Sequence, residues 1–239
     1  MKIIALGDIH GRSIWKKILE VEKVYDKVIF IGDYFDSKEN ILAEKQLENF
    51  KEIVALKELE KEKVILLFGN HDFHYLKGVS DEYSGYQKQH SREISRVINE
   101  AYRNGLFKMC LIEPPYLFSH AGLTQTWCAK NLTLKDYSDY KELEEEVNDL
   151  FYCFPMEFKF IPSENGNKSG EDIFQSPIWV RPEPLLVDKI AAYQPIVGHT
   201  VQDAIDLKKE VILIDALGTS KEYLVIEDGA LIVRKLRKY

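Results

Sequence analysis

Lys2-Ile3-Ile4-Ala5-Leu6-Gly7-Asp8-Ile9-His10-Gly11 begins as a short strand and breaks into a turn that carries an aspartate and a histidine. The same grammar returns twice. Residues 28–31 run into Gly32-Asp33-Tyr34-Phe35-Asp36, and residues 64–68 run into Gly69-Asn70-His71-Asp72. Between these strands, residues 12–24 put Ile14, Ile18 and Val21 at helical spacing, and residues 40–61 read as a long helix. A βαβαβ order implies neighbouring parallel strands with right-handed crossovers. All three turns then leave the carboxyl ends of strands, the edge where open α/β sheets bind ligands.

Further along, residues 77–105 are polar and carry Tyr83, Tyr86 and Tyr102; they are expected to be mostly helical and to lie over the sheet. Short strands follow at 108–111 and 116–119, on either side of Pro114-Pro115. Residues 140–150 form a charged helix, and residues 155–177 a loop rich in Gly, Asn and Ser, long enough to suggest a functional lid or a poorly ordered segment. Strands resume at 195–197, 211–214, 223–227 and 230–236, with Asp228-Gly229 a hairpin signal between the last two. No internal repeat, low-complexity tract or linker separates two cores. The simplest organisation is one domain over residues 1–239, with insert-like segments at about 77–105 and 124–177.

Composition narrows the function classes. The 239 residues carry 32 Lys+Arg against 39 Asp+Glu, a net charge of −7, with 45% hydrophobic residues, as in ordinary soluble globular chains. An acidic balance argues against general nucleic-acid binding, which rests on Lys and Arg displacing counterions, and against a polybasic membrane-surface role. No apolar run approaches the ~20 residues needed to cross a bilayer. The apolar start is also shorter than a signal h-region of about 7–15 residues. Cys110, Cys128 and Cys153 form no CxxC, and their odd number leaves one unpaired in any disulfide scheme. A cytoplasmic setting is expected.

Two more histidines stand in turn-like contexts after apolar runs: His120 in Ser119-His120-Ala121-Gly122, and His199 in Gly198-His199-Thr200. The candidate set is therefore Asp8, His10, Asp33, Asn70, His120 and His199. Mixed oxygen and imidazole donors suit Mn, Fe or Zn, and neither an all-thiolate site nor the oxygen shell of calcium. Six donors are too many for one catalytic ion with an open position, and a natural number for two ions sharing a carboxylate. Such pairs, about 3.5–4 Å apart, acidify water and neutralise phosphoryl oxygens in an in-line displacement, so phosphate-ester hydrolysis is the implied reaction.

These motifs, in this order, resemble the calcineurin-like metallophosphoesterase superfamily, and within it the branch of phosphoprotein phosphatases and bacterial diadenosine tetraphosphatases. The resemblance rests on Gly7 to Gly11, Gly32 to Asp36, Gly69 to Asp72, His120 before Ala-Gly-Leu, and His199 between Gly198 and Thr200. It implies a four-layer α/β/β/α sandwich with inserted helical and loop segments. It also implies one metal held by Asp8, His10 and Asp33, and a second held by Asp33, Asn70, His120 and His199. Asp33 and a nucleophilic hydroxide would bridge the two, with no phosphoenzyme. His71 becomes the general acid and Asp36 the carboxylate that holds its imidazole, roles that suit a group titrating near neutral pH.

This sequence departs from the family pattern at two positions. Ser37 follows Asp36 where the family usually has a phosphate-gripping Arg, and Val201 stands where many members carry a second metal-binding His. Valine there fits the phosphoprotein-phosphatase branch. Arg181, in Ile178-Trp179-Val180-Arg181-Pro182, is the candidate replacement for the phosphate grip, because a guanidinium fork matches phosphate oxygens. Plainer readings apply elsewhere. His74 is a packing or supporting residue, not a ligand, His90 and Arg12 are solvated, and the three tyrosines pack the insert. Residues 142–146 form a solvated acidic face, and the cysteines have no role.

The expected activity is metal-dependent hydrolysis of phosphate esters with two divalent ions, Mn2+ ahead of Fe or Zn. A serine/threonine phosphoprotein phosphatase is expected first, with a phosphorylated protein, small ester or nucleotide as substrate. A dinucleoside polyphosphate hydrolase or a phosphodiesterase is the alternative within enzymes. An inactive metal-binding interaction protein is the alternative outside them.

Overall fold

A computed structural model describes residues 1–162 and 170–236; residues 163–169, inside the expected 155–177 loop, and residues 237–239 lie outside the described residues. The first elements follow the expected order: β1 (Lys2–Leu6), α1 (Ile14–Glu22), β2 (Lys27–Phe30), α2 (Ala43–Leu59), β3 (Val64–Leu67) and the single turn α3 (Asn70–Phe73). β1 to β3 pair in parallel, with Ile4 opposite Val28 and Val28 opposite Val64. Alternate side chains enter two different cores. Ile4, Leu6, Val28, Phe30, Val64 and Leu66 pack with Ile18, Phe50 and Ile53 of α1 and α2, while Ile3, Ala5, Ile29, Ile65 and Leu67 point the other way. A strand covered on both faces is apolar at nearly every position, which is why these runs read as continuous and not alternating.

The second half completes the layers. It comprises α4 (Ser91–Arg103), β4 (Phe107–Lys108), β5 (Cys110–Glu113), β6 (Tyr116–Ser119), α5 (Gln125–Asn131), α6 (Tyr140–Cys153), a 3-10 turn (Pro155–Phe158), α7 (Pro182–Asp188), β7 (Gln194–Val197), β8 (Ile212–Leu213), β9 (Glu222–Glu227) and β10 (Ala230–Lys235). Among the described residues the strands form a six-stranded sheet, β10-β9-β1-β2-β3-β4, and a four-stranded sheet, β5-β6-β7-β8. Leu111, Phe118, Ile196 and Ile212 of the second sheet share a core with Ile3, Ala5 and Ile29 of the first. Ile112 and Leu117, on the opposite face, cluster with Leu143, Val147 and Phe151 of α6. Helix, sheet, sheet and helix are thus stacked as a four-layer α/β/β/α sandwich.

Three local expectations are corrected. The strand expected at 108–111 is two strands in different sheets: β4 pairs with β3, and β5 with β6. The chain crosses between sheets at buried Met109, where Asn148 Oδ1 accepts from Met109 N (2.6 Å) and Cys110 N (3.3 Å) and its amide donates to Cys110 O (3.1 Å). Helix α1 buries Trp15, Ile18 and Glu22, leaving Val21 57% exposed, because polar anchors set its rotation: Trp15 Nε1 donates to Asn49 of α2 at 2.9 Å and Glu22 is ion-paired. Residues 77–105 are helical only in α4, since Gly78 (φ 96°) and Gly85 (φ 87°) take a left-handed conformation that ends helical winding. The hairpin at Asp228-Gly229 forms as read, with φ of 50° and 83°. All three cysteines are free, and no described helix is long and apolar enough to cross a membrane.

Glu22 anchors the far end of the helix that begins just after the first turn. Only 4% exposed, it accepts from Lys2 Nζ (2.7 Å), Arg234 Nη1 (2.5 Å) and Tyr223 OH (2.6 Å). Burial works to raise its pKa, but these three donors outweigh it and hold the carboxyl below its ordinary 4.5. A depressed folded-state pKa gives stability that is present above the unfolded value and lost as pH falls through the folded one. Glu22→Gln is therefore expected to cost about 2 kcal/mol in urea unfolding at pH 7, the scale of hydrogen bonds to a charged group. The difference from wild type should shrink below pH 4.5.

Candidate metal centre

Three turns are laid side by side at the carboxyl edge of β1, β2 and β3. Ile9 N donates to Gly32 O (3.2 Å), His10 N to Asp33 O (2.6 Å) and Gly11 N to Tyr34 O (2.9 Å). Asp72, the last residue of the third motif, binds the second turn to the third: its carboxylate accepts from the backbone N–H of Asp33 (2.9 Å), Tyr34 (2.9 Å) and Gly69 (3.0 Å). His10, Asp33, Asp36 and His199 all have positive φ, between 42° and 61°. Non-glycine residues are uncommon there, and such strain clusters at functional sites. Two motif glycines are required by close approach: a Cβ on Gly69 would meet Asp33, and one on Gly198 would meet the Asp8 carboxylate.

All six residues singled out as metal donors come together. Asp8, Asp33 and His120 place donor atoms within 4.8 Å of one another. His10 Nε2 lies 3.7 Å from Asp33 Oδ2 and 4.0 Å from Asp8 Oδ2, while its Nδ1 meets Phe35 O at 2.7 Å. His120 Nε2 is 3.5 Å from Asp33 Oδ1 and 2.8 Å from Asn70 Oδ1, with Nδ1 on Ile31 O at 3.0 Å. His199 Nδ1 stands 2.9 Å from Asn70 Oδ1, and its backbone N–H donates to Asp8 at 3.1 Å. Carbonyl partners on the rear nitrogens of His10 and His120 aim the other nitrogen at the carboxylates, the outer support that metal-binding imidazoles use. Two atoms each about 2.1 Å from one ion, at right angles, lie about 3 Å apart; the two imidazole contacts to Asn70 Oδ1, at 2.8 and 2.9 Å, have that spacing, and the imidazole–carboxylate pairs are wider, at 3.5–4.0 Å. His199 Nε2 is buried without a hydrogen-bond partner. The donor set fits divalent cations.

Electrostatics point the same way. Burial pushes the Asp8 carboxyl well up, and the facing charges of Asp215 and Asp33 add to it. Burial likewise lifts Asp215 to about 6, with Asp33 adding to it. Burial acts on Asp33 too, but His120, His71 and His10 surround it and hold it below the usual carboxylate range. Burial drives His10 down to about 4 and lowers His120 and His199, so these imidazoles are neutral and free to coordinate. His71 behaves oppositely: burial would lower it, but Asp33 and Asp36 together raise it. Its Nδ1 is 3.1 Å from Asp36 Oδ2, and the imidazolium form suits a proton donor.

The centre opens into a cavity of about 640 Å³ lined also by Lys38, Asp81, Glu82, Tyr83, Trp179 and Arg181. Arg181 is there, as the sequence suggested, with Nη1 donating to His199 O (3.3 Å) and Thr200 Oγ1 (3.2 Å). Sequence reasoning missed several participants. Asp215, 4% exposed, comes from the turn after β8, and no motif marks it. Lys38 follows the position of the absent family Arg and lines the cavity; a basic residue one place beyond Ser37 was the available signal. Tyr83 was assigned to packing but forms cavity wall, its ring 4.4 Å from Trp179. Arg12 is not simply solvated: it pairs with Glu39 at 2.6 Å and donates to Asp8 O at 3.1 Å. His74 supports the site as anticipated, lying 2.6 Å from Asp36.

Comparison with known proteins agrees with this geometry. The family model for calcineurin-like phosphoesterases matches residues 1–202. No curated protein matches the chain. Among solved structures, a cold-active protein-tyrosine phosphatase of the psychrophile Shewanella sp. is similar with a TM-score of 0.63 and 19% identity, over 97% of this chain and 77% of that one. A protein serine/threonine phosphatase from Saccharomyces cerevisiae gives a TM-score of 0.55 and 13% identity, over 100% and 81%. A metallophosphoesterase from Sphaerobacter thermophilus gives 0.50 and 12%, over 99% and 88%. At these identities the likeness concerns the fold.

A methyl group at position 198 would intrude first on the Asp8 carboxylate and, less closely, on the Ile31 side chain of the core between the sheets. Gly198→Ala is expected to keep the wild-type circular dichroism spectrum but bind Mn2+ about 10–100-fold more weakly in a calorimetric titration, the usual scale for a displaced ligand support. Wild-type affinity in this variant would count against Asp8 as a ligand.

Proposed function

The chain belongs to the calcineurin-like phosphoesterase family, and on that premise we propose that it removes single phosphate groups from phosphoproteins, as a serine/threonine phosphoprotein phosphatase does. It is a metal-dependent phosphoester hydrolase. The observation that carries the reading is the convergence of the six donors with the His71–Asp36 pair at one cavity. An inactive metal-binding protein would have no use for that proton donor.

Asp8, His10 and Asp33 would hold one ion and Asp33, Asn70, His120 and His199 the other, with Mn2+ preferred over Fe or Zn. When bound, the ions acidify water and neutralise phosphoryl oxygens. The chain's own residues do the rest. Asp36 fixes Nδ1 of His71, which leaves Nε2 to give its proton to the departing oxygen. Arg181 and Lys38 bring the two cations that would grip the phosphate, in place of the family Arg absent at position 37. Asp81 and Glu82, both exposed, line the mouth and would repel a polyanion, which favours a lone phosphate on a neutral or basic peptide over a dinucleoside polyphosphate.

One observation favours a second reading. Tyr83, Phe160 and Trp179 form an aromatic wall, with Phe160 and Trp179 ring centroids 5.2 Å apart. Such a wall would receive the phenyl ring of an aryl phosphate, and the Shewanella neighbour is named a protein-tyrosine phosphatase.

The Mn2+-loaded protein is expected to hydrolyse p-nitrophenyl phosphate. Asp33→Asn should remove most of this turnover by weakening the metal site, and His71→Asn should lower kcat on phenyl phosphate by at least about 100-fold, the low end of general-acid contributions; no turnover with Mn2+, Fe2+ or Zn2+ would sink the enzyme reading. Arg181→Ala should raise KM about tenfold, the loss of one charge-assisted contact, and unchanged kinetics would remove that residue from the phosphate grip. In a panel read by phosphate release, phosphoserine and phosphothreonine peptides should outrun dinucleoside polyphosphates and bis-p-nitrophenyl phosphate. Preference for phosphotyrosine would select the second reading.

A further inference from the structure

Asp36 is 2% exposed and receives more donors than a dyad needs. Its Oδ1 accepts from Tyr75 OH (2.6 Å) and Gln87 Nε2 (3.1 Å), while Oδ2 faces His71 Nδ1 (3.1 Å) and His74 Nε2 (2.6 Å). His74 has no side-chain exposure, and its other nitrogen, Nδ1, is met by the backbone N–H of Tyr83 at 3.3 Å. A nitrogen that accepts carries no proton, so the His74 proton sits on Nε2, the nitrogen that lies against Asp36 Oδ2. The Nε2–H is not aligned with the carboxylate oxygen, and Nε2 has no hydrogen-bond partner among the described residues. At 2.6 Å the contact is nevertheless close enough to fix where Oδ2 sits.

Tyr83 connects this arrangement to the cavity wall. Its ring lies parallel to that of His74 (5.9 Å, 18°) and 4.4 Å from Trp179. Resting on the phosphoester-hydrolase reading above, we propose that His74 is a positioning residue for the acid step: it holds Asp36, and through it His71, and links both to the wall that contacts substrate. A residue that acts on the proton donor affects only the part of the reaction that needs a proton. An ester whose leaving group departs readily as an anion should be indifferent to it, and one with a basic leaving group should not.

The test uses the full chain loaded with Mn2+ and two substrates, phenyl phosphate and 2,4-dinitrophenyl phosphate. His74→Phe keeps a ring of similar size and removes the donor; it should lower kcat for phenyl phosphate about 10–100-fold, the scale for outer-shell partners, and for the dinitrophenyl ester less than about 3-fold. His74→Gln carries an amide N–H near the position of Nε2 and should recover most of the loss. Equal losses on both esters, or no loss, would overturn the inference while leaving the enzyme reading intact; a wild type inactive on both overturns the two together. The histidine tautomer gives a readout independent of turnover. Long-range 15N–1H spectra of the metal-free protein should show His74 fixed with its proton on Nε2, and a proton on Nδ1 would contradict the proposed contact.

Discussion

Asp8, Asp33 and Asp215 line one cavity with three carboxyl groups, each no more than 4% exposed, and that concentration of buried acid is the constraint around which the structure is arranged. Buried carboxylates are tolerated only when countercharge and hydrogen bonds replace water. Part of the replacement is internal: the His71 backbone N–H on Asp33, the His199 N–H on Asp8 and Arg12 at the Asp8 carbonyl. The remainder is left for divalent cations, since burial keeps His10, His120 and His199 neutral. Bound divalent cations would concentrate positive charge where a phosphate arrives, and the net −7 argues only against broad association with a phosphate backbone.

Holding that arrangement takes the rest of the fold. Asp72 fastens the second turn to the third through three backbone N–H groups, so a residue that resembles one more acid of the site is in fact its brace. Four of the candidate site residues, His10, Asp33, Asp36 and His199, keep left-handed backbone angles that a looser chain would relax. The sandwich supplies the rigidity. Two cores, one between the sheets and one under the helices, clamp β1, β2 and β3 from both faces, and the turns inherit their positions from those strands.

Much of this was legible in order and spacing. The three strand-turn motifs pointed both to the parallel sheet and to four of the six candidate donors, Asp8, His10, Asp33 and Asn70, because a parallel strand must deliver its following turn to the same edge each time. The downstream histidines were found for a similar reason, each standing where an apolar run stops. Errors arose where local pattern competes with packing. Ile14, Ile18 and Val21 satisfy helical spacing, yet with Trp15 bonded to Asn49 and Glu22 ion-paired, α1 leaves Val21 exposed while Ile14 only partly packs on the core. Residues 108–111 look like one strand, but a chain of that composition can pair with either sheet, and Asn148, forty residues on, marks where it changes.

The sequence by itself determined the chemistry, because donor identity and the strand-turn rhythm are local properties: Gly7 to Gly11, Gly32 to Asp36 and Gly69 to Asp72 each specify a turn and its donors. Only the tertiary structure decided what surrounds that chemistry. Asp215 and Tyr83 come from segments with no distinguishing pattern and reach the site because the second sheet and residues 77–90 close against the first, while the Asp36–His74 contact exists only once two separate turns are folded together. A ligand is specified by its own atoms, whereas a neighbour is specified by the whole path of chain that brings it there, and no short stretch of sequence contains that path.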